Sequence, residues 1–353
     1  MPDEVRHDGQ TDPVNKHESG SIKREKFMKR SILVVGLLIS VLGLSLSVST
    51  VRAQPYPNRP IQLIIPNVPG SIMDINSRAL ADELGKDLGT QIVPMNKPGA
   101  ATVIGTETLA RSKKDGYTIG YTSNAAMVYA RILNPDTIRF DPDKDLDPLG
   151  LHLIVPLAVA VQASAPWNTF SELLDYAKKN PGKLRVDTIG IGSTAHFNLE
   201  IIRSLTGAEF THVPFKGGES VITALLGGHI EVTFDAINKI VPHVESGKLK
   251  ILLLTNKMSE FPNIPTFPEL GFKQELNFTW FGLHMPSGLP EEVKKVLVPA
   301  VEKAIKNPGL KARFEKMQFI VSYKSPAEMK KMINEEYERS VQIADKAGLR
   351  KKN

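Results

Sequence analysis

Two strand–loop–helix junctions hold the residues best suited to bind an anion. The first runs through Pro66–Ser71 into a helix from about Ile72, and the second runs through Gly190–Thr194 into a helix from Ala195. The first backbone N–H groups of a helix have no intrahelical partner, and the positive end of the helix dipole lies at the same place. Such a helix tip is well suited to bind a carboxylate or a phosphate. We therefore predict that both tips contribute to one anion-binding site.

The predicted ligand-binding residues lie at these tips and at nearby strand ends. The two tips supply Pro69, Gly70, Ser71, Ile72 and Asp74, together with Gly192, Ser193, Thr194, Ala195 and His196. Other strand ends and a third glycine loop supply Ser123, Asn124, Lys216, Gly217, Gly218 and Asp235. These positions offer backbone N–H groups and a few polar side chains, which is how binding clefts fix the orientation of a small ligand.

Each of these groups also has a purely structural interpretation. Serine is a common helix N-cap, so Ser71 and Ser193 could cap their helices without touching a ligand. His196 could be a hydrogen-bonded structural residue, Lys216 a solvated loop charge and Asp235 the cap of a turn. The residue types alone leave both interpretations open.

Motifs for catalysis, cofactors or metals do not accompany the two tips. The sequence has no G-x-S-x-G, H-E-x-x-H or G-K-[ST] motif, and its eight histidines are scattered without metal-ligand spacing. Gly190–Ala195 fits the dinucleotide pattern G-x-G-x-x-A, but Glu209 precedes the next strand, whereas this pattern needs its acidic residue at the strand end. We predict a binding protein that is not an enzyme and needs no cofactor or metal.

Composition limits the class of partner. The formal net charge is +6, and the first 53 residues, with eight Lys or Arg and six Asp or Glu, account for two of these charges. The remaining excess suits small anions, but it is too dispersed for nucleic acid, and no basic stripe with interleaved aromatic residues occurs. The sequence has no cysteine, so it tolerates an oxidising compartment without a disulfide framework.

Residues 1–53 are typical of an N-terminal extension followed by a secretory signal peptide. Basic residues between positions 23 and 30 precede an uncharged apolar run from Ser31 to Val51, and Val51-Arg52-Ala53 is a small-x-small cleavage sequence. We predict cleavage after Ala53, a mature chain that starts at Gln54, and a periplasmic location. Met28 is itself a suitable signal start, which leaves the translation of residues 1–27 open.

Two alternatives to a free binding protein remain. The uncharged run at 31–51 is long enough to cross a bilayer if it is not cleaved, which would make the protein a membrane-tethered carboxylate sensor. The other alternative is a periplasmic enzyme that acts on a carboxylate.

The elements that must position the tips alternate along the mature chain. Short β-rich runs alternate with amphipathic runs, which is typical of an α/β fold, and a chain of this length is expected to form two lobes. An apolar run broken by Pro156 predicts a crossing between the lobes, and a strand from about Phe278 predicts the return. We assign 54–155 and 278–353 to a discontinuous first lobe and 156–277 to a second lobe, joined by two hinge crossings.

A set of motifs spans almost all of residues 54–353, and their order and spacing are more informative than any one of them. They are Tyr56-Pro57-Asn58-Arg59-Pro60-Ile61, Asn96-Lys97-Pro98-Gly99-Ala100, Asp115-Gly116-Tyr117-Thr118, Gly192-Ser193-x-x-His196, His212-Val213-Pro214-Phe215-Lys216-Gly217-Gly218 and Trp280-Phe281-Gly282-Leu283. In the order and spacing of these motifs, the chain resembles the periplasmic substrate-binding receptors of tripartite tricarboxylate transporters, also called Bug-type receptors.

The resemblance implies a two-lobed periplasmic-binding-protein fold, of the Venus flytrap, type II-like kind. It implies a small organic carboxylate held in the cleft between the lobes, partly through bridging waters, and delivery of that ligand to membrane permease subunits without catalysis. We expect a monomer.

The sequence departs from the family pattern at the expected rim of the ligand site. The first loop of the family has further glycines where this sequence has Gly70-Ser71-Ile72-Met73, and a second glycine run is replaced by Gly99-Ala100-Ala101-Thr102. Side chains therefore stand where the family rim is bare. The departure favours a more apolar or aromatic carboxylate over a ligand such as citrate.

Overall fold

The computed structural model describes residues 55–188, 190–215 and 219–350, together with Met28 and Gly36. The chain divides into two compact units, Met1–Gln54 and Pro55–Asn353. Within the described residues, no helix combines the length and the apolar character that a membrane span needs. The predicted signal peptide and its cleavage site lie outside the described residues, as do Lys216, Gly217 and Gly218 of the predicted ligand site.

The second unit contains strands and helices in alternation. The strands are β1 Ile61–Ile65, β2 Ile92–Asn96, β3 Thr118–Ser123, β4 Leu146–Val155, β5 Leu157–Gln162, β6 Arg185–Thr188, β7 Thr211–Pro214, β8 Val232–Ala236, β9 Leu249–Leu254, β10 Thr279–Pro286 and β11 Ile320–Lys324. The α-helices are α1 Ile72–Leu88, α2 Val103–Ala110, α3 Ala130–Leu133, α4 Pro142–Asp145, α5 Phe170–Lys179, α6 Thr194–Thr206, α7 Glu219–Leu226, α8 Ile237–Glu245, α9 Glu291–Ile305, α10 Pro308–Glu315 and α11 Pro326–Lys346. A π-helix, Ala125–Tyr129, precedes α3, and short 3-10 helices lie at Pro135–Thr137 and Pro268–Leu270.

The described strands form two mixed sheets. The first has the order β11-β4-β10-β3-β1-β2, in which β1 runs parallel to β2 and β3 while β10 runs antiparallel to β3 and β4. The second has the order β7-β6-β8-β5-β9, in which β6 runs parallel to β7 and β8 while β5 runs antiparallel to β8 and β9. The predicted two-lobed α/β fold is confirmed.

The chain passes from one sheet to the other through short connections. Strand β4 of the first sheet ends at Val155, and β5 of the second sheet begins at Leu157, so Pro156 alone separates them. The return comes after β9, with β10 of the first sheet beginning at Thr279. The exact boundaries of the lobes remain a prediction. The prediction is supported by the sheet to which each strand belongs.

Local signals account for the helix that follows β1. The Ser71 side chain accepts the N–H of Asp74 at 3.2 Å, and Gly89 ends the helix in the left-handed conformation with φ 62°. The pattern Ser71-Ile72-Met73-Asp74 predicts a capping box, but the box is incomplete, because the Asp74 carboxylate accepts the N–H of Gly70 and not that of Ser71. The four-residue spacing of Leu80, Leu84 and Leu88 predicts one buried stripe; the first two are buried, and Leu88 is half-buried.

The topology brings the predicted site segments to two sheet edges. Parallel strands end at the same edge, so the loops after β1 and β2 and the π-helix after β3 lie together in the first lobe. In the second lobe the loop after β6 and the first residues of α8, which follow β8 directly, lie together for the same reason. Ligands of open α/β sheets bind outside the carboxyl ends of the strands, which is where both sets of loops lie.

Candidate functional site

Asp74 organises the first helix tip. Its Oδ2 accepts the N–H of Gly70 at 2.9 Å, and its Oδ1 accepts Arg78 Nε at 2.9 Å and Asn96 Nδ2 at 2.8 Å. Burial alone would raise the pKa of Asp74, but these hydrogen bonds outweigh it and hold the pKa below its ordinary value. The charged carboxylate thus accepts three hydrogen bonds from the protein itself, which hold the loop against the helix.

Two of the N–H donors predicted at the first tip are occupied. Gly70 donates to Asp74, and the N–H of Ser71 donates to the carbonyl of Val68 at 3.3 Å. In the part of the chain that the structure describes, the N–H groups of Ile72 and Met73 have no acceptor. The tip therefore retains donor capacity at its first helical residues.

Helix α2 packs directly on the loop of the first tip, and the loop between β2 and α2 is strained. A Cβ at Gly105 would lie 2.5 Å from Pro66 Cβ, so a glycine is needed there for the helix to approach the loop. Ala100, Ala101 and Thr102 have φ values of 47°, 50° and 74°. This left-handed region is unfavourable for residues with a Cβ, and runs of such residues at a surface loop point to a functional constraint.

The second tip is closed by local hydrogen bonds around His196. The N–H of Gly192 donates to His196 Nδ1 at 3.2 Å, the N–H of His196 donates to Ser193 Oγ at 3.2 Å, and the N–H of Ser193 donates to the carbonyl of Gly190. The His196 ring stacks on His212 with centroids 4.5 Å apart. Burial, with a smaller effect of His212, lowers the pKa of His196 to about 4, so the imidazole is neutral at pH 7 and brings no positive charge to the tip.

The first helical residues of α6 lie against the first lobe. Thr279 Oγ1, from β10, donates to Thr194 Oγ1 at 3.0 Å, and the ring of Phe197 stacks on that of Tyr129 with centroids 4.4 Å apart. Thr194 and Ala195 are buried, and among the described residues their N–H groups have no acceptor. The start of α6 thus contacts residues of the first lobe, and the binding of one anion by both tips remains a prediction.

A cavity of about 280 Å³ lies between the two sets of loops. The first lobe contributes Ala100, Ala101, Val103, Ala125, Ala130, Leu133 and Asn134, and the second lobe contributes Ile191 and Gly192. Gly192 belongs to the predicted site. The other predicted residues that the structure describes are outside this lining, so their contact with a ligand remains a prediction.

Ser123, Asn124 and Asp235 are buried and serve local structure. Asn124 Nδ2 donates to the carbonyl of Phe278 at 2.9 Å and to Glu336 Oε1 at 3.0 Å, next to the hinge. Asp235 pairs with Lys239 at 2.8 Å and accepts the N–H of Ala236. These partners favour the structural interpretation of Asn124 and Asp235.

Most residues that line the cavity are not among the predicted ligand-binding residues. Ala100 and Ala101 were singled out as departures from a glycine pattern, but not as ligand contacts. Leu133 and Ile191 carried no sequence signal, since apolar residues near a helix end or in a loop are ordinary. Among the described residues, no group of three or more His, Cys, Asp or Glu is arranged to hold a metal.

Comparison with known proteins places the chain among transporter receptors. The family model described as the tripartite tricarboxylate transporter family receptor matches residues 76–349. Protein BugT of Bordetella pertussis is 29% identical over 92% of this chain and 99% of its own length. A protein of Cupriavidus necator, of the group UPF0065, is 31% identical over 94% of this chain and 99% of its own length.

Solved structures with the same fold include ligand-bound proteins. A Rhodopseudomonas palustris protein solved with adipate is 26% identical, with a TM-score of 0.73, over 83% of this chain and 98% of its own. MatC of the same organism, solved with bound malate, is 26% identical, with a TM-score of 0.70, over 82% of this chain and 99% of its own. A structure described as a periplasmic transporter is 30% identical, with a TM-score of 0.74, over 84% of this chain and 99% of its own.

Proposed function

Because the chain belongs to the tripartite tricarboxylate transporter receptor family, we propose that it captures a small organic carboxylate between its lobes and delivers it to membrane permease subunits. The observation that carries this proposal is the cavity of about 280 Å³ lined by loops and helix residues that follow strands of both sheets. The related proteins solved with adipate and malate support a carboxylate as the ligand class.

The proposed anion contacts are backbone N–H groups at the two helix tips. Thr194 and Ala195 of the second tip, and Ile72 and Met73 of the first, have N–H groups without an acceptor among the described residues. These four residues are outside the cavity lining, so the proposal includes bridging waters between the donors and the carboxylate. The helix dipoles add to the attraction at both places.

We propose that the protein binds its ligand without turning it over. A serine nucleophile at Ser193 would need an imidazole nitrogen of His196 as its base. Instead, Ser193 Oγ accepts the backbone N–H of His196, and His196 Nδ1 accepts the N–H of Gly192. This arrangement caps a helix, and it argues against the alternative of a periplasmic enzyme.

Export to the periplasm, cleavage after Ala53 and a monomeric state complete the proposal. The intact mass of the exported protein measures the cleavage directly, and light scattering after gel filtration measures the oligomeric state. A mass that corresponds to a chain still containing residues 31–51 would favour the alternative of a membrane-tethered sensor.

The proposal is tested with a panel of mono-, di- and tricarboxylates. Isothermal titration calorimetry and thermal unfolding detect binding, and chromatography of the same mixtures detects any product. A ligand at about a hundredfold excess over Kd stabilises the fold by about 2.7 kcal/mol. We expect binding of at least one acid without product, whereas turnover of the acid or a panel without any binding would contradict the proposal.

Capture by the second tip is tested with two variants of one residue. Thr194→Pro removes the N–H of the first helical residue, and Thr194→Ala keeps it, while both lose the hydroxyl that contacts Thr279. Proline fits this position because the preceding Ser193 is extended, with ψ 159°. A hydrogen bond to a bridging water joins two neutral groups and is worth about 0.5–1.5 kcal/mol, so Thr194→Pro should bind about 2- to 12-fold more weakly than Thr194→Ala. Equal affinities would exclude this donor.

A further inference from the structure

We propose that the ligand is a monocarboxylic acid with an apolar body, and this inference rests on the proposed function. The cavity between the lobes receives the apolar body, and the helix-tip donors receive the single carboxylate.

The wall of the cavity is apolar on both sides. Ala100, Ala101, Val103, Ala125, Ala130 and Leu133 line it from the first lobe, and Ile191 and Gly192 line it from the second. Asn134 supplies the polar side chain of this described lining, and no described lining residue is charged. Such a wall stabilises carbon and hydrogen atoms of a ligand by removing them from water.

Among the described residues that line this cavity, a second carboxylate would find no cation. An ionised carboxylate that leaves water needs a cation or several hydrogen-bond donors, and without them its burial is strongly unfavourable. The guanidinium of Arg78, which lies close to the first tip, already donates to Asp74 and Asn96. A dicarboxylate would therefore place one charged end against the alanine, leucine and isoleucine side chains.

The exposure of Ile191 indicates where the ligand makes contact. Its side chain is 72% exposed at the second tip, although it also lines the cavity. From the first lobe, Ala100 and Ala101 line the same cavity; both are exposed and hold the unfavourable left-handed conformation. An apolar ligand body between the two walls would cover these surfaces.

The volume sets the size of the apolar body. An apolar cavity of about 150 Å³ holds one benzene molecule. The interlobe cavity, at about 280 Å³, has room for an apolar body of one aromatic ring or of about six carbons.

Matched pairs of acids test the inference by isothermal titration calorimetry. Hexanoate is compared with adipate, and benzoate with terephthalate, so that each pair differs by the second carboxylate. We expect the monoacid of at least one pair to bind at least tenfold more tightly than its diacid. A diacid that binds as tightly as its monoacid, or more tightly, would overturn this inference and leave the proposed function intact. If no acid binds, the proposed function itself is wrong.

A pair of variants tests the apolar wall. Ile191→Asn replaces an exposed isoleucine of the cavity, and Leu205→Asn replaces an exposed leucine of α6 that lines a different groove. We expect Ile191→Asn to weaken binding of the preferred monoacid at least threefold and Leu205→Asn to leave it unchanged. Unchanged binding in Ile191→Asn, or equal losses in both variants, would contradict contact between Ile191 and the ligand body.

Discussion

Replacing Gly192 by alanine tests whether the two lobes close on the ligand with Gly192 packed against Leu133. A Cβ at Gly192 would lie 2.9 Å from Leu133 Cδ1, across the interlobe cavity. Gly192 also has φ +85°, where a Cβ costs about 1–2 kcal/mol. Gly207, at the other end of α6, has φ +70° and open space around its Cβ position. Gly207→Ala is therefore a matched control for the backbone strain alone.

The contact with Leu133 separates the two variants in ligand affinity. Both variants should lower the free energy of unfolding by about 1–2 kcal/mol, because both place a Cβ in the left-handed region. In Gly192→Ala the Leu133 side chain must also leave its rotamer when the lobes close, which costs about 0.5–1.5 kcal/mol. We therefore expect about 2- to 12-fold weaker ligand binding in Gly192→Ala and unchanged binding in Gly207→Ala.

The assay is a double-mutant cycle measured by isothermal titration calorimetry with the acid that binds best. The cycle combines Gly192→Ala with Leu133→Ala, which removes the clashing methyl group. If the reasoning is right, Gly192→Ala costs little affinity in the Leu133→Ala background. Equal affinity losses in Gly192→Ala and Gly207→Ala, or strict additivity in the cycle, would refute closure through this contact.

Three further predictions concern buried groups. Burial raises the pKa of Asp187 to about 7, above its unfolded value, so the free energy of unfolding should fall as the pH rises from about 4 to 7. Asp187→Asn should flatten that dependence in urea titrations, and an unchanged slope would assign it to another group. Glu336→Gln should cost about 1–3 kcal/mol in urea unfolding, because Trp280 Nε1 donates to the carboxylate at 2.6 Å and the amide satisfies fewer of its buried donors. Gly105→Ala should also destabilise by about 1–3 kcal/mol, since its Cβ would meet the backbone of Pro66 at 2.6 Å, and a thermal midpoint like that of the parent protein would contradict this packing.

The C-terminal region shows why some elements escaped the sequence argument. The sequence predicts two long helices, at about Pro290–Lys306 and Pro326–Ala347, and these correspond to α9 and α11. Between them the structure adds α10 and the edge strand β11, which pairs with β4. The five residues of β11, Ile320–Lys324, are all only partly buried, so their pattern is too weak to distinguish a strand from a loop.

At the candidate site, the sequence predicts the helix caps but not all of the hydrogen bonds of the two loops. The sequence predicted that both tips would end strands and begin helices, and Ser71 and Ser193 do cap α1 and α6. It did not predict that the N–H groups of Gly70 and Ser193 would be occupied by Asp74 and Gly190. The first of these bonds requires the loop to fold back on the helix, which the spacing of residues alone does not specify.

Sequence alone determined the features that arise within a few residues of one another. The caps at Ser71 and Gly89 and the break at Pro156 belong to this class, because hydrogen bonds and dihedral limits between near neighbours decide them. Tertiary structure decided that Leu133 meets Gly192 and that alanines of one lobe face Ile191 of the other. Such contacts depend on how the two sheets pack across the crossing, and many residue types would serve equally well until that packing brings them together.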